Sequence, residues 1–140
     1  MEQELQQKID YQFKSPNLLQ EALHPAGTAP LQGNKRLALV GDSALALSIL
    51  DSSYDHHDST TEGTRILQKH ACNSNLSSQG LKSNLDGFIE KHPAQKGYIT
   101  EGVRASTVEA ILGAVWVDSD MDMRAVDRVR KNLGVNPEFN

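Results

Sequence analysis

Apolar residues along the chain recur at helical spacing and nowhere alternate long enough for a sheet strand. After a polar start, Tyr11, Phe13, Leu18, Leu19, Ala22 and Leu23 follow this spacing. Ser15 is placed as N-cap and Pro16 as the first helical residue, so the pattern predicts a helix over about 16–24. His24-Pro25-Ala26-Gly27 ends it, and a loop runs to Gly33. From Asn34 to about Tyr54, Leu37, Leu39, Val40, Ala44, Leu45, Ala46, Leu47, Ile49 and Leu50 cover almost the whole helical circumference. That predicts a central, buried helix. Asp51 to Thr61 is polar and reads as a solvated loop. Helical periodicity returns over Arg65 to Gly80 and Asn84 to Lys91, broken by Gly80 and Gly87, and His92-Pro93 stops it before a loop to Gly102. Ala105 to Asp118 and Met121 to Leu133 predict two further helices or one kinked helix, capped by Gly134. The expectation is an all-α, compact helical bundle forming one domain over 1–140, with its core at about 9–134.

Composition leaves this picture intact. With 38% apolar and 23% charged residues in 140, the chain is large and apolar enough to build a core without staples. No apolar run approaches a membrane span, and the acidic start, with Glu2, Glu4 and Asp10, lacks the features of a secretory or mitochondrial leader. An intracellular protein, cytoplasmic or nuclear, is therefore expected, with no membrane partner. The single Cys72 forms no internal disulfide, and the triplet Asn75-Leu76-Ser77 is expected to be silent without an export signal. A formal charge of −4 argues against tight nucleic-acid binding by bulk charge, so any such binding needs a local patch or cations.

Three features carry candidate chemistry. Asp42 lies inside the apolar run, where a carboxylate is costly unless paired or bound to a cation. Asp55-His56-His57-Asp58 offers ligand types, but adjacent histidines point apart and no second cluster accompanies them, so a solvated loop is the better reading. Arg124, Arg128 and Lys131 form a basic stripe, with Asp127 interrupting the neighbouring face, that reads first as solvated surface; Arg65, Lys69 and Lys82 could equally contact RNA, and the sequence does not choose between the two sets.

Three segments together resemble the ribonuclease III family. Residues 11–23, Tyr-Gln-Phe-Lys-Ser-Pro-Asn-Leu-Leu-Gln-Glu-Ala-Leu, are similar to the first helix of its nuclease domain. Residues 34–43, Asn-Lys-Arg-Leu-Ala-Leu-Val-Gly-Asp-Ser, resemble its most distinctive motif, and Ser106-Thr107-Val108-Glu109-Ala110 its catalytic last helix. The bare motif is most like that of small fungal ribonuclease III-like proteins, and nothing after residue 134 resembles the family's separate double-stranded-RNA-binding domain.

The resemblance implies a two-fold dimer acting on double-stranded RNA. It also implies two carboxylates on each of two helices, holding Mg²⁺ (or Mn²⁺) that activates water and stabilises the leaving group. Asp42 and Glu109 match that pattern, whereas Ala38 stands where a glutamate is expected, Ser106 where an aspartate is expected, and Lys35 replaces an acidic residue. The spacings, four and three residues, put each pair on one helical face. The expected site is thus degraded, with Asp42 and Glu109 as remaining catalytic and metal-binding residues and cation binding in doubt without RNA. Lys35 is expected to share the face of Ala38, two turns from Asp42, where it is either simply exposed at the helix start or replaces part of the lost cationic charge. Leu39 occupies the position that inserts into the partner, so a homodimer is expected. Weak or absent phosphodiester hydrolysis is favoured over two alternatives: an active, Mg-dependent double-strand-specific endoribonuclease with a reduced site, and a non-catalytic scaffold of the mitochondrial-ribosome-subunit type. A heterodimer with an active relative is a further alternative to the homodimer.

Overall fold

The computed structural model describes residues 2–27, 32–91 and 98–137. These form seven α-helices and one short 3-10 turn, with no strand among the described residues. Helix α1 (Glu2–Ile9) precedes α2 (Pro16–Ala22) and the long α3 (Lys35–Asp55); α4 (Thr60–Ala71) and α5 (Asn73–Lys82) lead to the 3-10 turn Leu85–Gly87, and α6 (Glu101–Asp118) and α7 (Met123–Asn132) close the domain.

The polar start is therefore helical. Only Leu5 and Ile9 of α1 are buried, and a single i, i+4 pair is too faint a period to read alone. Helix α2 starts at Pro16 behind Ser15 as expected, although the Ser15 hydroxyl makes no cap bond. The region expected to run from Arg65 to Gly80 divides instead at Cys72, between α4 and α5, while Gly80 lies buried inside α5. Helix α4 begins at Thr60 because the Ser59 hydroxyl accepts the Glu62 amide. The pair α6 and α7 is two helices, the second begun by Asp122, whose side chain accepts the Arg124 amide. Gly134 takes φ +87°, the left-handed cap conformation that glycine adopts without penalty.

One expectation is corrected: the enclosed helix is α6. It packs on α2, α3, α5 and α7, and residues 105, 107, 108, 110–115 and 118 are all buried. Helix α3 buries one stripe, Leu37, Gly41, Ala44, Leu45, Ser48, Ile49 and Ser53, and leaves the opposite face open. Asp42 lies on that open side and is exposed. Apolar residues all round a helix do not say which face this chain covers; here Leu39, 72% exposed, Leu47, 54%, and Tyr54, 81%, remain in solvent.

Helices α3 and α6 share the most extensive packing in the domain. They approach through glycines: a Cβ on Gly41 would fall 1.6 Å from the Glu109 carbonyl oxygen, and one on Gly113 2.0 Å from that of Leu37. Polar contacts fix the ends of this pair. Asp118, at the last turn of α6, accepts the Tyr11 hydroxyl at 2.7 Å and the Lys14 and Ser15 amides at 2.8 Å each. Burial raises its pKa, but these three donors outweigh burial and hold it below the usual carboxylate range. Asp118→Ala would take the acceptor from two backbone amides and a phenol in part-buried bonds, and is expected to cost about 2 kcal/mol in urea unfolding at pH 7. At the α3–α7 contact the fully buried Arg130 donates to the Ser48 hydroxyl and to the Val135 carbonyl, each at 2.7 Å, while Ser48 also donates to Asp127.

Candidate functional site

The site follows from the α3–α6 crossing. Asn34, buried at the start of α3, donates from its side chain to the Ala22 carbonyl at 2.8 Å and to the Thr107 hydroxyl at 3.5 Å, tying α2, α3 and α6 together. At the start of α6 the Thr100 hydroxyl accepts the Val103 amide. Arg104 then braces that turn, pairing with both oxygens of Asp86 at 2.7 Å and donating to Ser77 and the Ile99 carbonyl.

With Gly41 against the Glu109 carbonyl, the neighbouring Asp42 carboxylate meets that of Glu109, and the two are hydrogen-bonded. Burial, this hydrogen bond and the Asp42 charge raise Glu109 to about 7. One turn toward the helix starts, the same crossing forms a cavity of about 170 Å³ lined by Pro25, Ala26, Asn34, Lys35, Ala38, Gly102, Val103 and Ser106. The sequence-selected residues thus gather in one place in two tiers, Asp42 with Glu109 and then Ala38, Ser106 and Lys35. The first tier is acidic; the described lining of the second holds no carboxylate.

The raised Glu109 makes stability pH-dependent. Its folded pKa exceeds the ordinary 4.5, so the folded state holds the extra proton and stability falls as pH rises from about 4.5 to about 7. Glu109→Gln has no such titration. Its melting temperature relative to wild type is expected to rise between pH 5 and pH 8 without divalent cations, as read by circular dichroism; a constant difference would contradict the assignment.

As a cation site, the acidic tier offers two meeting carboxylates, which suit one hard ion completed by water and phosphate oxygens. The second tier adds only a neutral hydroxyl and an ammonium, a poor donor set for a second ion. No cluster of three or more His, Cys, Asp and Glu suited to a metal occurs among the described residues. His56 instead pairs with Asp58 at 2.9 Å, and Ser53 donates to Asp58, so this segment closes the end of α3. Of the basic residues, Arg128 pairs with Asp10 and Arg65 with Glu62, so neither set presents a continuous unpaired stripe.

A family model described as "Ribonuclease III domain" matches residues 35–120, which contain the whole crossing and both tiers. The chain belongs to the ribonuclease III domain family. Similar curated proteins include Ribonuclease 3 of Idiomarina loihiensis, 33% identical over 124 residues, covering 85% of this chain and 54% of that protein. Ribonuclease 3 of Shewanella woodyi is 32% identical over 120 residues, covering 82% and 53%. The chain thus spans about half the length of these relatives. Among solved structures, the nuclease domain of Campylobacter jejuni ribonuclease III superposes with TM-score 0.85 at 22% identity, over 99% of this chain and 97% of that one. A second structure of that domain, reported for flexibility in a region involved in dimer formation, gives 0.83 at 22% identity over 92% of each chain. The ribonuclease III fold is therefore the one observed, and no described helix is long and apolar enough to cross a membrane.

The sequence pointed to every member of the two tiers but missed what holds them. Gly41, Gly113, Asn34 and Thr107 shape this ribonuclease III site without presenting chemistry. The available signal was the small residue beside each remaining carboxylate or one turn beyond it.

Proposed function

We propose that this ribonuclease III domain binds double-stranded RNA as a homodimer and hydrolyses its phosphodiesters weakly or not at all. The observation that carries this reading is the two-tier site: one carboxylate from each crossing helix meets its counterpart, while Ala38, Ser106 and Lys35 line the next turn. Asp42 and Glu109 would hold a single Mg²⁺ or Mn²⁺, which supplies charge neutralisation at a phosphate oxygen and a more acidic bound water. In-line displacement asks that attacking and leaving oxygens both be stabilised. Ala38 contributes nothing to the second of these tasks and Ser106 only a neutral oxygen. Lys35 makes no ion pair among the described residues and adds one positive charge where the chain lacks the second pair of carboxylates.

The outer face of α3 supports the homodimer. Leu39 protrudes beside an apolar cavity of about 360 Å³ lined by Val40, Ser43, Ala44, Leu47, Trp116 and Met123. A knob and a hollow on one face satisfy the self-complementarity of a two-fold interface. Sedimentation at tens of micromolar is expected to give a dimer, and Leu39→Asp a monomer; a wild-type monomer would refute this part of the reading.

The deciding measurement is cleavage of a long RNA duplex in Mg²⁺ or Mn²⁺ beside a filter-binding titration. Wild type is expected to bind the duplex and to cut it little faster than Glu109→Gln. Strong wild-type cutting abolished by Glu109→Gln would instead establish an active enzyme with a reduced site, the reading that the surviving carboxylate pair favours as second.

A further inference from the structure

We infer that the cavity between the starts of α3 and α6 is a cation-independent subsite for one backbone phosphate of the RNA, held by the Lys35 ammonium, the Ser106 hydroxyl and the Gly102 amide. The inference rests on the duplex-binding reading above and goes beyond it by giving the second tier a ligand of its own.

The cavity contains these three donor-bearing residues from two helices within a lining that is otherwise small or apolar, Pro25, Ala26, Ala38 and Val103, apart from Asn34. Asn34 spends its amide on Ala22 and Thr107, so it shapes the wall. Lys35 is exposed and makes no ion pair among the described residues, so its charge is available to an incoming group. The Thr100 hydroxyl takes the Val103 amide, which leaves the Gly102 amide without a helical partner, and a Cβ on Gly102 would meet nothing within 4 Å. The two longest helices, of 21 and 18 residues, both begin here, and their dipoles add positive potential to the lysine. Glu101 works against this from the first turn of α6, but it is exposed and lies outside the cavity lining.

A volume of about 170 Å³ is ample for a phosphate group. A tetrahedral oxyanion uses donors arriving from three directions, and the apolar walls strengthen each bond by lowering the local dielectric. A phosphate seated there would stand about one helical turn, roughly 5 Å, from the Asp42–Glu109 tier. The RNA backbone would then be held by the protein's own charge at the tier where carboxylates would otherwise demand an intervening cation.

The test is made on the intact chain in EDTA, first with inorganic phosphate and then with a short RNA duplex. In amide-resolved NMR, phosphate is expected to shift Gly102 and Ser106, and Lys35→Glu to remove those shifts while its melting temperature stays close to wild type. Duplex affinity in EDTA is expected to fall about tenfold in Lys35→Glu, less in Lys35→Ala, with the salt-dependence slope reduced by about 1. The inference is overturned if Lys35→Glu binds duplex as wild type does, or if wild-type binding vanishes in EDTA and returns with Mg²⁺. Failure of wild type to bind duplex under any condition would instead defeat the duplex-binding reading, and the phosphate shifts would still decide the subsite.

Discussion

Gly41→Ala and Gly113→Ala are each expected to lower stability by on the order of 4 kcal/mol or more, a drop in melting temperature of roughly 12 °C or more. A side-chain clash can relax by a rotamer change. Here the added methyl would lie 1.6 Å from the Glu109 carbonyl oxygen or 2.0 Å from that of Leu37, both main-chain atoms inside helices. Only separation of α3 from α6 removes the overlap, and that opens the core around Leu37, Leu45, Val108 and Leu112. Gly87→Ala, with nothing within 4 Å of the new carbon, is the control, expected within about 0.5 kcal/mol of wild type. Chemical denaturation of the three variants decides the matter, and a Gly41→Ala protein as stable as Gly87→Ala would show that the helices do not touch as described. Any Gly41→Ala protein that remains folded should also lose the raised Glu109 titration, because Asp42 would be displaced with its helix.

The second large effect is a gain. Under the proposed function, Ala38→Glu combined with Ser106→Asp is expected to raise duplex cleavage in Mg²⁺ or Mn²⁺ by on the order of 10²-fold or more, since removing a single group that stabilises transition-state charge commonly costs 10²–10³. Each replacement is one turn from a surviving carboxylate, on the same helix face, and the cavity that would receive both is already formed. Without cations the variant carries four carboxylates in one cleft, so it should melt below wild type. Added Mn²⁺ should restore more stability to it than to wild type, by the mass action of a ligand that binds only the folded state. If cleavage stays at the Glu109→Gln background while Mn²⁺ binds and stabilises the variant, something other than the missing carboxylates limits the chemistry. Adding Lys35→Glu tests whether the remaining ammonium competes with the ion.

Much of the site was legible in the sequence because its residues fall in two short runs. Asp42 and Glu109 sit three or four residues from Ala38 and Ser106, and helical spacing alone puts each pair on one face. What the spacing did not reveal was burial. Helix α3 has leucines on every side, and only the packed structure shows that Leu39, Leu47 and Tyr54 face outward and that Asp42 is exposed beside them. The starts of α4 and α6 were legible in principle, as Ser59 followed by Glu62 has the spacing of a capping box and Thr100 precedes Val103 by the same three residues. Helix α1 was not, because eight residues with two buried side chains give too little periodic signal, and its place is set by Leu5 and Ile9 joining a core built from distant segments.

The glycine contact between α3 and α6 also bears on how such a domain ages. The spacing of the cleft is written in main-chain atoms, which no ligand substitution edits, so selection for folding alone preserves the mould after selection for chemistry has relaxed. Under the proposed function, weak hydrolysis need not be a one-way path: the fold keeps a template in which two substitutions can be tried at once.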